Sequence, residues 1–254
     1  MRKTTTIICA LSAAILALCM TACIRGGGQP DPVDPTPQPD PSPTYSLTVS
    51  QDYYYAGIYK DPFNGETTFT YVLPSLQGAD TDYVAQINAF IADLRTNYVE
   101  PSVEAIQKGD ALGYNSVTYE AQPVEDMISL MFSWSSLYDG DVQFKTFLIK
   151  ADGTMAENKE LFAAKGVTEQ QVLAKVTEQL GTLVPKPDYA AIEAAAGKSM
   201  ADMAQAAYDK TFAADNINGH MPYYVNDEGH LAVVATVYTV AGAGHKSYVL
   251  DLGY

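Results

Sequence analysis

Cysteine is scarce in this chain and badly placed for cross-linking: Cys9, Cys19 and Cys23 are its three cysteines, and none follows. A disulfide framework is excluded for the bulk of the chain, as is a cysteine-rich zinc site. Histidine is equally sparse. His220, His230 and His245 are the only ones, and no two stand at the i, i+4 spacing of a metalloprotease helix. Positive charge is short as well, with 15 Lys and Arg against 30 Asp and Glu. Nucleic-acid binding needs a basic footprint, so it is excluded, and so is charge-driven adhesion to anionic lipid. The chain has no G-x-S-x-G nucleophile elbow and no phosphate-binding P-loop. Its longest apolar run, residues 7–18, falls short of the roughly 20 residues that cross a bilayer.

That run has a different use. Arg2 and Lys3 precede it, and Met20-Thr21-Ala22-Cys23 follows with small residues just before the cysteine. Positive, apolar and small-residue regions in this order make a signal peptide over residues 1–22, a reading preferred to a retained transmembrane anchor. The cleavage region resembles a bacterial lipoprotein lipobox, with Met20 where Leu is commonest. The resemblance implies cleavage before Cys23 and acylation of its sulfur, hence a membrane partner reached through lipid. Cys19 is a poor rival because bulky Leu18 precedes it. Several acyl chains anchor stably, since each buried methylene contributes about 0.8 kcal/mol. Removing residues 1–22 leaves 13 basic and 30 acidic groups, a net charge of −17. Such acidity either serves solubility alone or steers a cationic partner toward the protein.

Residues 23–45 form a stalk. Gly26, Gly27 and Gly28 are flexible, and Pro30, Pro32, Pro35, Pro37, Pro39, Pro41 and Pro43 recur every two or three residues. Proline fixes φ and removes a donor, so the run favours extended polyproline II. At about 3.1 Å per residue it spans on the order of 40 Å. A spacer is the preferred reading over a ligand for a proline-recognising module. Beyond it, residues 46–254 supply enough chain for one sizeable core or two small subdomains.

Hydrophobic patterning predicts the elements of that part. Strands are expected over 66–73, ended by Pro74, and over 114–121. The clearest is 126–136, with Ile128, Leu130, Phe132 and Trp134 on one face and Ser129, Ser133 and Ser135 on the other. Asp139-Gly140 then turns the chain into 142–150, and Asp152-Gly153 makes the next turn. The last strands are 221–225 and 231–240, around the Asn226–Gly229 turn, and 247–252. Tyr83, Ile87, Phe90, Ile91, Leu94 and Tyr98 mark a helix over 82–106, with Pro101 as a possible break. Thr168 and Gln171 form a capping box for a second helix that ends near Gly181. Ser199 caps a third, which carries Met203, Ala207 and Tyr208. Strands and helices are segregated, so the expected class is α+β, mainly antiparallel sheet with packed helices.

Few residues nominate a site. His220 and His230 flank a predicted strand and turn, and are read as surface histidines rather than a metal pair. Ala241-Gly242-Ala243-Gly244 lies between strands and reads as a turn, not a phosphate cradle. Asp139 and Asp141, and the run Asp215-Asn216-Ile217-Asn218-Gly219, have carboxylates near turns but lack the remaining ligands of a calcium loop. A glycosidase pair of distant carboxylates is left open. No cofactor is implied. Tyrosine is the anomaly: there are 18, including Tyr53-Tyr54-Tyr55 and Tyr223-Tyr224. Tyrosine is favoured at binding surfaces but also packs well on sheets. Consecutive tyrosines on a strand face both ways, so some of Tyr53, Tyr54 and Tyr55 must point outward.

Three stretches carry a family likeness. They are Tyr71-Val72-Leu73-Pro74 with the helix containing Gln86-Ile87-Asn88-Ala89-Phe90-Ile91; residues 127–134, then 146–153 and Glu160-Leu161-Phe162; and residues 224–229, then 237–242 and the final strand. Together they resemble the extracytoplasmic domain shared by the anti-sigma factor RsiV and the peptidoglycan deacetylase PdaC. Members commonly carry a Gly-Gly-Ala-His turn after the second of these stretches' first strand, where this chain has Tyr138-Asp139-Gly140-Asp141. The resemblance implies a two-part α+β sensor or binding domain. No cytoplasmic sigma-binding segment and no deacetylase domain accompany it, so neither activity transfers. The anti-sigma branch binds lysozyme, a basic protein, which suits the acidity here. The expected ligand is therefore peptidoglycan, a host glycan or a cationic protein. The candidate contact residues are Tyr53, Tyr54, Tyr55, Tyr138, Asp139, Asp141 and Tyr238, with Cys23 as the lipidation site and an enzyme acting on envelope glycan or a structural envelope component as the alternatives.

Overall fold

The first two strands form a long hairpin whose loop chemistry is legible residue by residue. β1 (Thr48–Asp61) and β2 (Gly65–Gln77) pair antiparallel around Pro62, Phe63 and Asn64, and Gly65 closes the loop at φ +75°. A three-residue hairpin loop needs a residue in the left-handed region at that point, and glycine adopts it without a Cβ clash. The computed structural model describes residues 47–138, 140, 142–240 and 244–254. Cys23, the 1–22 and 23–45 segments, Asp139 and Asp141 lie outside the described residues. Among those described, no helix is long and apolar enough to cross a membrane.

A helical crossover carries β2 to its parallel neighbour. α1 (Asp82–Leu94) starts at Thr81, whose side chain accepts the Val84 N–H, and a π turn over Arg95–Val99 joins it to α2 (Glu100–Lys108). Pro101, the possible break, does not interrupt the helix. Proline lacks an N–H and its ring crowds the carbonyl four residues back. The π turn, in which the Glu100 N–H reaches Arg95 O, relieves that crowding within a continuous helix. β3 (Tyr114–Val124) then pairs parallel with β2 at Thr70–Ser116 and Tyr71–Val117. β4 (Met127–Ser136) and β5 (Val142–Lys150) follow antiparallel, giving a five-stranded sheet in the order β1-β2-β3-β4-β5.

α3 (Asn158–Ala164) and α4 (Glu169–Leu183) come next, then the pair α5 (Tyr189–Ala196) and α6 (Lys198–Thr211). β6 (Tyr223–Val225), β7 (Leu231–Tyr238) and β8 (His245–Asp251) close a three-stranded antiparallel sheet. The fold is α+β with two antiparallel-dominated sheets. The Thr168–Gln171 capping box is present. Two helix ends differ from expectation. α4 runs through Gly181 to Leu183, because Val172, Val176 and Leu180 stay buried to its last turn. α6 starts after Gly197, at φ +85°, which leaves Ser199 inside the first turn without a capping bond. β2 likewise runs through Pro74; the β1 register shift between Gln51 and Tyr53 lies opposite it, the kind of irregularity where a strand tolerates proline.

Two cores result. In the first, Val84, Ile87, Ile91 and Leu94 line one stripe of α1 and pack on Tyr71, Leu73, Leu130, Phe132 and Trp134. In the second, Val172, Val176 and Leu180 of α4 pack with Leu161 and Phe162 against Tyr223, Val225, Leu231 and Val233. Phe162 meets Tyr223 edge-on, with centroids 4.8 Å apart. The two sheets also touch. Met131 and Phe144 meet Tyr224, Ala232 and Val234, and the Val225 N–H donates to buried Ser129 Oγ at 2.8 Å. On the serine face of β4, Ser129 and Met131 are thus covered by the second sheet, while Ser133 and Ser135 stay half-buried. Burial pushes the Tyr71 hydroxyl up to about 12, and it donates to Tyr114 O at 2.7 Å.

Candidate functional site

The β1–β2 hairpin buries the apolar residues of β2 but leaves several large ones of β1 and the tip in water. After the register shift, Tyr53, Tyr55, Gly57, Tyr59 and Asp61 face the helix side of the sheet, while Tyr54, Ala56, Ile58 and Lys60 face away. The helix-side tyrosines have structural partners. The Arg95 guanidinium lies 5.2 Å from the Tyr53 ring centre and 3.9 Å from the Asp52 carboxylate. Burial raises the Tyr53 pKa, and Arg95 opposes that rise in part. The Tyr55 ring sits 5.1 Å from Phe69, which covers Gly57 closely enough that a Cβ there would meet its ring at 3.1 Å. The Tyr59 hydroxyl donates to Asp110 O at 2.6 Å.

The outward face is different. Tyr54 is 63% exposed, Ile58 75%, and Phe63 at the tip 80%. Tyr54 pairs across the hairpin with Val72, Ala56 with Thr70, and Ile58 with Thr68. At about 3.3 Å per residue, β1 from Tyr54 to Asp61 runs roughly 23 Å, with Phe63 in the loop beyond it. Among the described residues, β1 is also the edge of its sheet, with β2 as its one strand neighbour.

Asp61 fixes the tip. Its Oδ1 accepts the N–H groups of Phe63 (2.9 Å) and Asn64 (2.8 Å) and the Asn64 side-chain amide. Its Oδ2 accepts the buried Leu112 N–H at 2.7 Å. The Leu112 bond, followed by those from Phe63 and Asn64, outweighs desolvation and lowers the Asp61 pKa. Phe63 is therefore presented by an ordered loop, which lowers the entropy lost when a partner covers it.

The other candidates stand apart from this strip. Tyr138 is 62% exposed where the chain leaves β4, its N–H donating to Ser136 Oγ. Tyr238 ends β7 in the other sheet, half-buried, with the Lys210 ammonium 4.0 Å from its ring centre. It lines a mostly apolar cavity of about 330 Å³ with Met203, Ala207 and Lys210. Among the described residues, no ring contact or hydrogen bond joins Tyr53, Tyr54 or Tyr55 to Tyr138 or Tyr238. Sequence reasoning missed Ile58, Phe63 and Asp61. The signals were an i, i+4 repeat on one face of a strand and the turn-forming run Asp61-Pro62-Phe63-Asn64-Gly65.

A larger cleft, about 500 Å³, is lined by residues including Glu157, Asn158, Lys159, Glu169 and His220. Several of its polar groups are engaged within the protein. Asn158 donates to Gly219 O and Met221 O at 2.8 and 3.0 Å, and the Lys159 ammonium sits 2.6 Å from the Glu157 carboxylate. The Asp215–Gly219 run is likewise engaged. The Asn216 amide bridges Thr211 O and Thr236 O, and Asn218 Oδ1 accepts the His220 N–H. No protein-family model and no curated protein matches this chain.

Proposed function

We propose that the chain is a surface-tethered lipoprotein whose α+β domain is a non-catalytic sensor or binding module for a cell-envelope or host ligand. The ligand is a glycan or a basic protein such as lysozyme. The observation that carries this reading is the strip of Tyr54, Ile58 and Phe63, three large apolar side chains exposed on one ordered hairpin. Isolated exposed apolar residues are ordinary, but three large ones on a single hairpin with a hydrogen-bonded tip support an interaction surface. A strip running along one hairpin suits an extended polymer, and the acidity of the chain suits a basic protein. The resemblance to the RsiV/PdaC-type domain points the same way, with Tyr54 retained from the sequence-based candidates and Tyr53 reassigned to packing.

Two experiments test it. Full chain incubated with immobilised peptidoglycan fragments, mucin glycans and lysozyme should be retained by at least one of them. No retention on any contradicts the binding role. In cells, Cys23→Ala should shift the protein from the membrane to the soluble fraction, because the acyl chains are its proposed attachment. Unchanged partitioning contradicts the lipoprotein reading. The alternative is an enzyme acting on envelope glycan, and turnover of peptidoglycan lost in Glu169→Gln, in the larger cleft, would favour it.

A further inference from the structure

Glu228, His230 and Asp251 converge where the β6–β7 turn meets the end of β8. His230 Nδ1 lies 3.0 Å from Asp251 Oδ2 and 3.5 Å from Glu228 Oε2. One ligand atom from each residue lies within 4.8 Å of the other two. Imidazole nitrogen and carboxylate oxygen bind zinc at about 2.0–2.2 Å, which places tetrahedral ligand atoms roughly 3.4 Å apart. The observed spacings need only small side-chain movements to reach that geometry. We propose that Glu228, His230 and Asp251 form a site for a divalent transition metal of the zinc class, with one nitrogen and two oxygen ligands.

The backbone around the three residues is fixed before any ion arrives. Asn226 Oδ1 accepts the N–H groups of both Glu228 (3.1 Å) and His230 (2.9 Å), and the Asn226 N–H donates back to His230 O. Asp251 Oδ1 is occupied by the Gly253 N–H, which leaves Oδ2 turned toward His230. All three side chains are 41–68% exposed, so an ion can enter. The charge balance also favours a cation. Metal binding takes a neutral imidazole, and the two carboxylates are then uncompensated. Asp227 adjoins them in the turn and acts electrostatically on Glu120, and the charges of Glu120, Asp227 and Asp251 all reach neighbouring Tyr224. The Lys165 ammonium faces the same turn but donates to Gly229 O. Three protein ligands leave a coordination position for water or a partner's donor atom. A bound ion would also staple the β6–β7 turn to the final strand.

The test is a zinc titration of the full chain near neutral pH, with Cys9, Cys19 and Cys23 alkylated, read by calorimetry and by Tm. The chain should take up one Zn²⁺ and gain several degrees in Tm at saturation. His230→Ala and Asp251→Asn should each weaken binding at least tenfold and remove the Tm gain, whereas His220→Ala and His245→Ala should leave both unchanged. Circular dichroism in EDTA establishes that each variant is folded. If Asp251→Asn unfolds, Glu228→Gln, on the most exposed of the three, replaces it with the same expected loss. No zinc uptake by the parent chain, or equal loss on removing His220 or His245, overturns the proposal.

Discussion

Phe132→Ala is expected to destabilise the protein by about 3–5 kcal/mol, the cost of removing a buried aromatic ring and leaving a cavity. Phe132 has no solvent exposure and sits at the centre of the helix-side core of the five-stranded sheet. Its ring meets Phe90 edge-on at 5.3 Å, Phe147 edge-on at 6.0 Å and Tyr119 at 6.4 Å. Those neighbours come from α1, β5 and β3, so the ring ties the crossover helix to three adjacent strands. Truncation removes transfer energy, dispersion contacts and edge-to-face geometry together. For a domain of this size each kcal/mol moves Tm by about 2–4 °C, so a fall of roughly 10 °C follows. Phe132→Leu, which keeps most of the apolar volume, should cost clearly less. Thermal unfolding measures both. A shift below about 3 °C for the alanine variant would contradict the placement of this core.

The second large effect concerns Asp61. One carboxylate accepts three backbone N–H groups, of which that of Leu112 is buried and has no route to water. Asp61→Ala leaves that donor unsatisfied and frees the hairpin tip, so Tm should fall by several degrees and the tip should exchange amide hydrogens faster. The pH dependence has a definite sign. Hydrogen bonds to the ionised form, led by that from Leu112, depress the folded-state pKa below the ordinary aspartate value. The unfolded state then binds the proton more readily. Stability from Asp61 is present above the unfolded pKa, near 4, and is lost as pH falls through the lower folded value. Between about pH 6 and pH 3 the parent Tm should therefore fall more steeply than that of Asp61→Asn. Parallel curves would contradict the role given to this carboxylate.

Much of the fold was legible because its signals are local. The stripe of Ile87, Ile91 and Leu94 gave α1, the Thr168–Gln171 capping box gave the start of α4, and the alternation from Leu130 to Trp134 gave β4. Errors arose where distant packing overrides local preference. Pro74 and Pro101 are strong breakers in isolation, yet a register shift and a π turn absorb them because the flanking residues are buried. Ser129 was placed only on the face opposite Leu130 and Phe132, and the second sheet, about a hundred residues later in the chain, explains its burial. α3 and α5 are too short to show helical periodicity.

The site was less legible than the fold. Tyrosine count pointed to β1, but separating Tyr54 from Tyr53 and Tyr55 required the register shift, which sets the face each side chain takes. Ile58 and Phe63 were invisible as candidates because a single exposed apolar residue is unremarkable until its neighbours are known. The Glu228–His230–Asp251 cluster combines a turn with a strand end some twenty residues away, and pairing of β7 with β8 brings them together.

The most direct measurement is the affinity of the chain for lysozyme and for peptidoglycan fragments, compared with a Tyr54→Ala/Ile58→Thr/Phe63→Ser variant of unchanged Tm. Anchors of this kind dominate binding energy at protein surfaces. The variant should bind the retained ligand at least tenfold more weakly, while Tyr138→Ala binds as the parent does. Equal affinity of parent and triple variant for a ligand the chain retains would contradict the assignment of the hairpin strip as the binding surface.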